Sequence, residues 1–176
     1  MADVNFSDIA RPRPEGPAPA SGPDHDAAVI ELIELLFFAY RDFTADPDAI
    51  LAEFGFGRAH HRVIHFVARN PGIRVTELLA ILRITKQSLG RVLKQLVEQG
   101  YVEQREGPSD RRQRLLFLTD KGSNLAARLV RPQIERVSRA VAASGSNAQA
   151  LYRQVLYNLI DESDRTRVAA LVTRSG

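Results

Sequence analysis

No cysteine occurs among the 176 residues. Disulfides, thiolate zinc sites, iron–sulfur clusters and cysteine redox sensing are thereby excluded. No apolar run approaches the roughly 18 residues needed to span a bilayer, and the N-terminus lacks the charged-then-apolar pattern of an export signal. The expectation is a cytoplasmic protein. Catalytic signatures are missing too. Gly55-Phe56-Gly57 fails the dinucleotide pattern because position 60 is His60, and neither G-x-x-x-x-G-K-[ST] nor G-x-S-x-G is present. Asp161, Glu162 and Asp164 read as a solvated helix junction rather than an acid–base pair. The chain is therefore expected not to be an enzyme and to need no cofactor.

The charge excess is small, +3 overall with a sequence pI of about 9.6, so its distribution matters more than its total. Residues 83–114 hold eight basic side chains (Arg83, Lys86, Arg91, Lys94, Arg105, Arg111, Arg112, Arg114) and four acidic ones (Glu98, Glu103, Glu106, Asp110). That segment is +4, which leaves −1 for everything else. Taken alone, a charge run of this kind is most often a solvated face. The elements that carry it change that reading.

Residues 1–23 contain five of the nine prolines together with Gly16 and Gly22, a composition that cannot bury a core. They read as a disordered or extended arm, with Arg11 and Arg13 able to brush an anionic partner. From residue 24 to about 43 the chain reads as a helix with almost no polar face: Val29, Ile30, Leu32, Ile33, Leu35, Leu36, Phe37, Phe38 and Tyr40 go nearly all round it. Such a helix must be covered on several sides, which hints at a dimer. Asp46-Pro47-Asp48 is expected to open a separate helical turn through Phe54. A helix over 58–69 follows, with His60, Val63, Ile64 and Val67 on one stripe, and Asn70-Pro71-Gly72 stops it.

Residues 75–82 read as a short helix with Leu78, Leu79 and Leu82 inward. Thr85 is a plausible N-cap for the next helix, which runs to about Gln99 with Leu89, Val92, Leu93 and Leu96 buried and Gly100 as its stop. The period then changes to that of a hairpin, with strands over 101–105 and 113–118 and turn residues between them. A long helix follows to about residue 143, with a kink or break expected at Pro132. Two more helices span 147–160 and roughly 163–173.

Two short helices, a tight turn and a β-hairpin in that order describe a winged helix-turn-helix. Gln87, Gly90, Arg91 and Lys94 fall at i, i+3, i+4 and i+7, opposite the apolar stripe, with Lys86 and Ser88 in the first turn. Free amides at a helix N-terminus suit phosphates, and arginine, glutamine and serine can bond base edges in the major groove. The charge is confined to these elements, which points to nucleic-acid binding. The candidate DNA-binding residues are Thr85, Lys86, Gln87, Ser88, Arg91, Lys94, Arg105, Arg111, Arg112 and Arg114. Lys94 and the wing arginines are assigned mainly to phosphates.

The segment Asp110-Arg111-Arg112-Gln113-Arg114-Leu115-Leu116-Phe117-Leu118-Thr119-Asp120-Lys121-Gly122 resembles the wing pattern of the MarR family of bacterial transcription regulators, D-x-R followed by L-T-x-x-G. Leu93-Lys94-Gln95-Leu96-Val97-Glu98-Gln99-Gly100-Tyr101-Val102 is similar to that family's recognition-helix exit. The resemblance covers roughly residues 25–173. Segments 31–42 and 55–65 look closest to an alphaproteobacterial branch related to PetP and LdtR.

The resemblance implies a ligand-responsive homodimer, a repressor or an activator, on a pseudo-palindromic operator in double-stranded DNA. The implied fold is mainly α with a small β-hairpin wing. Its parts are the arm (1–23), an N-terminal dimerisation helix (24–45), the winged helix-turn-helix DNA-binding domain (46–122) and C-terminal dimerisation helices (123–176). It implies that Asp110 and Arg112 pair to brace the wing. It also implies an effector pocket, with Phe37, Tyr40, Phe56, His60 and His61 as candidate lining for an aromatic or weakly acidic small molecule.

There are departures from the pattern. Helix-turn-helix sequences often carry a small residue at the position of Leu79 and glycine at that of Arg83, so a looser turn is expected. Gly90 inside the recognition helix costs about 1 kcal/mol relative to alanine. His61 and His65 have a metal-capable i, i+4 spacing, but Arg62 stands where H-E-x-x-H needs glutamate, and no metal site is expected. Two rival readings are a winged-helix module for an acidic protein partner and a histidine-based metal or haem sensor.

Overall fold

The computed structural model describes residues 22–108, 110 and 112–173. The arm read for residues 1–23 lies outside them except for Gly22 and Pro23, and so does Arg111. Helices α1 (Pro23–Ala52), α2 (Arg58–Arg69), α3 (Val75–Leu82), α4 (Lys86–Glu98), α5 (Asp120–Ala143), α6 (Ala148–Asn158) and α7 (Glu162–Thr173) alternate with strands β1 (Ile73–Arg74), β2 (Val102–Glu106) and β3 (Arg114–Leu118). No described helix is long and apolar enough to cross a membrane. The described residues divide into two compact units, residues 40–136, and residues 22–39 with 137–173.

The 40–136 unit is built around one apolar core. Leu51, Val63, Ile64, Val67, Leu78, Leu89, Leu96 and Leu116 are buried at its centre. The helical period that places Val63, Ile64 and Val67 on one side of α2 is the reason that side faces inward. The hairpin is antiparallel, with Val102 opposite Leu118 and Glu106 opposite Arg114. Strand β1 adds to β3 on its other side, giving the order β1-β3-β2. This two-residue strand is not foreshadowed in the sequence, because two residues carry no period.

Pro47 does not act as expected. The break before Asp46 is absent: α1 continues through Pro47 to Ala52. Pro47 has no N–H for the carbonyl of Phe43, yet Thr44, Pro47 and Leu51 form a buried stripe. The Thr44 hydroxyl donates to the Tyr40 and Arg41 carbonyls at 3.0 and 3.1 Å. Burial of this stripe outweighs one missing bond. Pro132 likewise lies inside a continuous α5, beside buried Leu129 and Gln133, so no break occurs there.

The end of α4 and the start of α5 are locked together. Gly100, at φ 73°, lets its own N–H reach the Val97 carbonyl (3.0 Å) and that of Tyr101 reach the Leu96 carbonyl (2.8 Å). This paired closure ends the helix with its last carbonyls satisfied. The Thr119 hydroxyl donates to the Gly100 carbonyl at 2.7 Å and accepts from Gly122 N–H at 3.1 Å. A Cβ on Gly122 would lie 2.0 Å from the Tyr101 carbonyl oxygen. The glycine of the L-T-x-x-G pattern is therefore a packing requirement.

The other unit is different in kind. Val29, Leu32, Ile33, Leu35, Leu36 and Phe37 of α1 are exposed, as are Leu151, Val155 and Leu156 of α6, Leu159 just after it and Val172 of α7. Among its described residues only Tyr157 is a buried hydrophobic. One copy of the chain leaves this apolar surface in water.

Gly122→Ala should destabilise the chain by about 1–3 kcal/mol, the usual cost of overpacking a tight contact. Urea unfolding monitored by circular dichroism reads it. A midpoint equal to the parent's would show that α5 can back away from Tyr101 without loss.

Candidate nucleic-acid interface

Helix α4 presents one polar side outward. Thr85, Lys86, Gln87, Ser88, Gly90, Arg91 and Lys94 are all exposed, while Leu89, Val92, Leu93 and Leu96 are buried. Thr85 caps the helix, its Oγ1 accepting from Ser88 N–H at 3.1 Å and donating to Ser88 Oγ at 2.9 Å. The first helical bond is Leu89 N–H to the Thr85 carbonyl, 3.0 Å. The amides of Lys86 and Gln87 precede it, at the positive end of the helix dipole. Gly90 has nothing within 4 Å of where a Cβ would stand, so no internal packing requires glycine there.

The turn before α4 is made without glycine. Arg83 takes the left-handed conformation, φ 50° and ψ 45°, and its N–H bonds the Leu79 carbonyl at 3.0 Å. The cost falls on Arg83 itself, since a non-glycine residue in this region is disfavoured by roughly 1–2 kcal/mol.

The wing loop is held by its own backbone. Gly107 N–H bonds the Gln113 carbonyl and Gln113 N–H the Asp110 carbonyl, each at 3.0 Å. A Cβ on Gly107 would stand 2.8 Å from the Asp110 carbonyl oxygen. The carboxylate of Asp110 accepts from the backbone N–H of Arg112 at 2.9 Å. The brace between these two residues thus uses the amide of Arg112, and the guanidinium stands exposed. Arg105 and Arg114 are engaged within the hairpin instead. Arg105 pairs with Glu103 and sits 4.4 Å over the Phe117 ring, and Arg114 reaches Glu106 at 3.3 Å. These pairs are solvent-exposed, so opening them costs little. Among the described residues no ion pair is found for Lys86, Arg91 or Arg112, and Lys94 has a loose one to Glu98 at 3.8 Å. An open groove of ≈ 780 Å³ lies between α4, at Gly90 and Lys94, and β2, at Glu103 and Gln104.

The residues expected to line an effector pocket stand in different surroundings. Phe37 is 68% exposed and Tyr40 55%, the latter 5.7 Å beneath the Arg58 guanidinium. Phe56 is buried in the core and stacks on His60 with centroids 4.6 Å apart. His61 borders a cavity. That cavity, ≈ 230 Å³, lies between α2 and α5 and is walled by Ile64, Ala68 and Leu129 with His61, His65 and Arg69. His65 and Arg69 were not anticipated as lining. Their signal was the spacing of 61, 65 and 69, one stripe of the helix.

Among the described residues no group of three potential ligands could hold a metal, and His61 and His65 meet edge to face at 6.5 Å. Burial holds both imidazoles below the ordinary histidine value of 6.5. His65 lowers His61 further while Asp48 acts the other way, and Arg69 lowers His65 further. The unfolded chain therefore takes up protons at higher pH than the folded one, and stability is full above the unfolded value and lost as pH falls below it. Urea midpoints should be lower at about pH 5.5 than at about pH 7.5. The His61→Gln/His65→Gln chain should lose less over that interval, and an equal loss in both chains would clear the two histidines as the cause.

A model of the MarR family matches residues 54–113, the span from the end of the α1 turn through the wing loop. The HTH-type transcriptional regulator PetP of Rhodobacter capsulatus is 51% identical over 133 residues, covering 76% of this chain and 80% of that protein. A crystal structure of a MarR family transcription regulator superposes with a TM-score of 0.65 at 18% identity, over 87% of this chain and 97% of that one. Streptococcus pneumoniae FabT, solved in complex with DNA, gives 0.66 at 19% identity over 74% and 94%. The two crystal structures share the winged-helix fold. The sequence relationship carries more: the chain belongs to the MarR family, as a transcriptional regulator and not an enzyme.

Proposed function

We propose that the chain is a homodimeric, sequence-specific DNA-binding regulator that acts in the cytoplasm on a pseudo-palindromic operator. The single observation that carries this reading is the outward polar side of α4, with Lys86, Gln87, Ser88, Arg91 and Lys94 exposed above a buried leucine and valine stripe. Lys86, Gln87, Ser88 and Arg91 contact bases in the major groove. Thr85, Lys94 and the wing arginines Arg105, Arg111 and Arg114 contact the backbone. Arg112 enters the neighbouring minor groove, since its side chain is not spent on the loop brace. FabT, with the same fold, is seen with DNA. The second copy covers the apolar surfaces of α1 and α6, whose run of exposed large hydrophobics is of a kind that marks an interaction face.

The proposed division of labour keeps residues 24–45 and 123–176 for dimerisation and 46–122 for DNA. Effector control falls to the cavity between α2 and α5. Its apolar walls with two imidazoles and a guanidinium suit a small aromatic or weakly acidic molecule.

Arg112→Ala should weaken binding to a selected duplex at least tenfold, the order of one lost charge-assisted contact. The sedimentation of the dimer and its melting temperature should stay as in the parent. Unchanged mobility shifts would remove the wing from the interface. Binding that is weak and indifferent to sequence in the parent itself would favour a protein-interaction module.

A panel of substituted benzoates should raise the melting temperature of the parent chain, and Arg69→Ala should lose that response. No shift across a broad panel would count against the cavity as an effector site.

A further inference from the structure

Helix α2 borders the cavity with one side and grips the helix-turn-helix with another. His60 Nε2 lies 2.8 Å from Gln95 Oε1, linking α2 to α4. Gly57 N–H donates to His60 Nδ1 at 3.1 Å. The proton of the neutral ring therefore sits on Nε2, which donates to Gln95. Stacking on Phe56, 11° from parallel, fixes the plane of the imidazole. Two residues further, Arg62 Nη2 donates to the Leu82 carbonyl at 2.9 Å. Leu82 ends α3, immediately before left-handed Arg83. The same helix therefore holds the reading assembly at its turn and at its second helix, while His61, His65 and Arg69 border the cavity.

Apolar contacts between helices tolerate small sliding, because they have no direction. A hydrogen bond with a fixed donor and acceptor weakens steeply once its angle or length changes. A shift of α2 is thus delivered to α4 through these two links rather than absorbed between side chains.

We propose that His60 and Arg62 are positioning residues. Through Gln95 and the Leu82 carbonyl they set the attitude of α4, and they carry displacements of the cavity wall to the reading side. This rests on the DNA-binding reading above and deepens it to a route of regulation.

The test uses the full chain and a duplex it selects from a randomised pool. His60→Phe keeps the stack on Phe56 and removes both nitrogens, and Gln95→Met keeps length and removes the acceptor. Each should weaken duplex binding roughly three- to thirtyfold, and the double variant should be no weaker than the weaker single. Arg62→Met should fall in the same range. His60→Gln, whose amide can still donate to Gln95, should keep most of the affinity and serves as the second variant if His60→Phe folds poorly. Losses that multiply in the double variant, or affinities within about twofold of the parent, overturn the inference. Ala127→Leu, which adds bulk to the α5 wall of the cavity, should change duplex affinity in the parent and not in the His60→Phe/Arg62→Met chain. The same change in both backgrounds overturns the relay. A parent that selects no duplex overturns the DNA-binding reading, and this inference with it.

Discussion

The carbonyl of Tyr101 is the point on which the reading unit depends. Tyr101 N–H closes the end of α4 on Leu96, its ring is buried against Phe54 and Phe56, and its carbonyl receives Thr119 N–H at 3.2 Å. Gly122 brings the first turn of α5 against the same oxygen. Lys121 completes the clasp, bonding the Gln99 carbonyl at 2.9 Å and standing 4.2 Å over the Tyr101 ring. Three elements therefore share one anchor: the reading helix, the first wing strand and the helix that leaves the unit. Rigid geometry at this junction is what allows the attitude of α4 to be set from elsewhere, because α4 cannot pivot freely about its own C-terminus.

Charge is arranged by a different logic from packing. The +4 of residues 83–114 is not spread evenly over the surface those residues make. Glu103 and Glu106 partner Arg105 and Arg114 on the hairpin, while the N-terminal turn of α4 carries Lys86 and no acidic residue, with Arg91 and Lys94 following on the same side. The helix dipole adds to the same end. The field is therefore strongest where an anion would meet the outward side of α4, and weaker along the stem of the hairpin, whose pairs open at small cost when a stronger partner arrives.

The sequence made the fold of the 40–136 unit legible where a period was long enough to read. The stripe Leu89, Val92, Leu93, Leu96 spans two helical turns, and all four are buried. Thr85 and Gly100 mark the ends of α4 because capping chemistry is local. Strand β1 was out of reach, since its existence depends on β3 passing beside it. Pro47 misled because its local cost is fixed while the burial that offsets it is a property of the assembled core. The candidate site divides the same way. The exposed residues of α4 followed from periodicity, whereas the spacing of 61, 65 and 69 marks a stripe of α2 without telling that α5 faces it. Aromatic composition drew attention to Phe37, Tyr40 and Phe56, but membership of a cavity depends on which helices meet. The links His60–Gln95 and Arg62–Leu82 join residues 35 and 20 positions apart, and no spacing rule connects them.

Two local rules are broken in the reading assembly, and both breaks sit beside the proposed DNA surface. Arg83 holds a conformation that favours glycine, and Gly90 occupies a helix interior that favours almost any other residue. Each costs on the order of 1 kcal/mol, a sizeable part of a typical domain's margin of 5–15 kcal/mol. Three glycines of the reading unit answer to geometry: Gly100 to its left-handed φ, Gly107 and Gly122 to a carbonyl that a Cβ would strike. Gly90 has no such internal reason. Local inconsistency of this kind concentrates where function sets the requirement rather than stability. A missing Cβ on the outward side of α4 leaves a notch between Gln87, Arg91 and Lys94. Such a notch allows the helix backbone to approach a partner's surface more closely than any side chain at that position would permit.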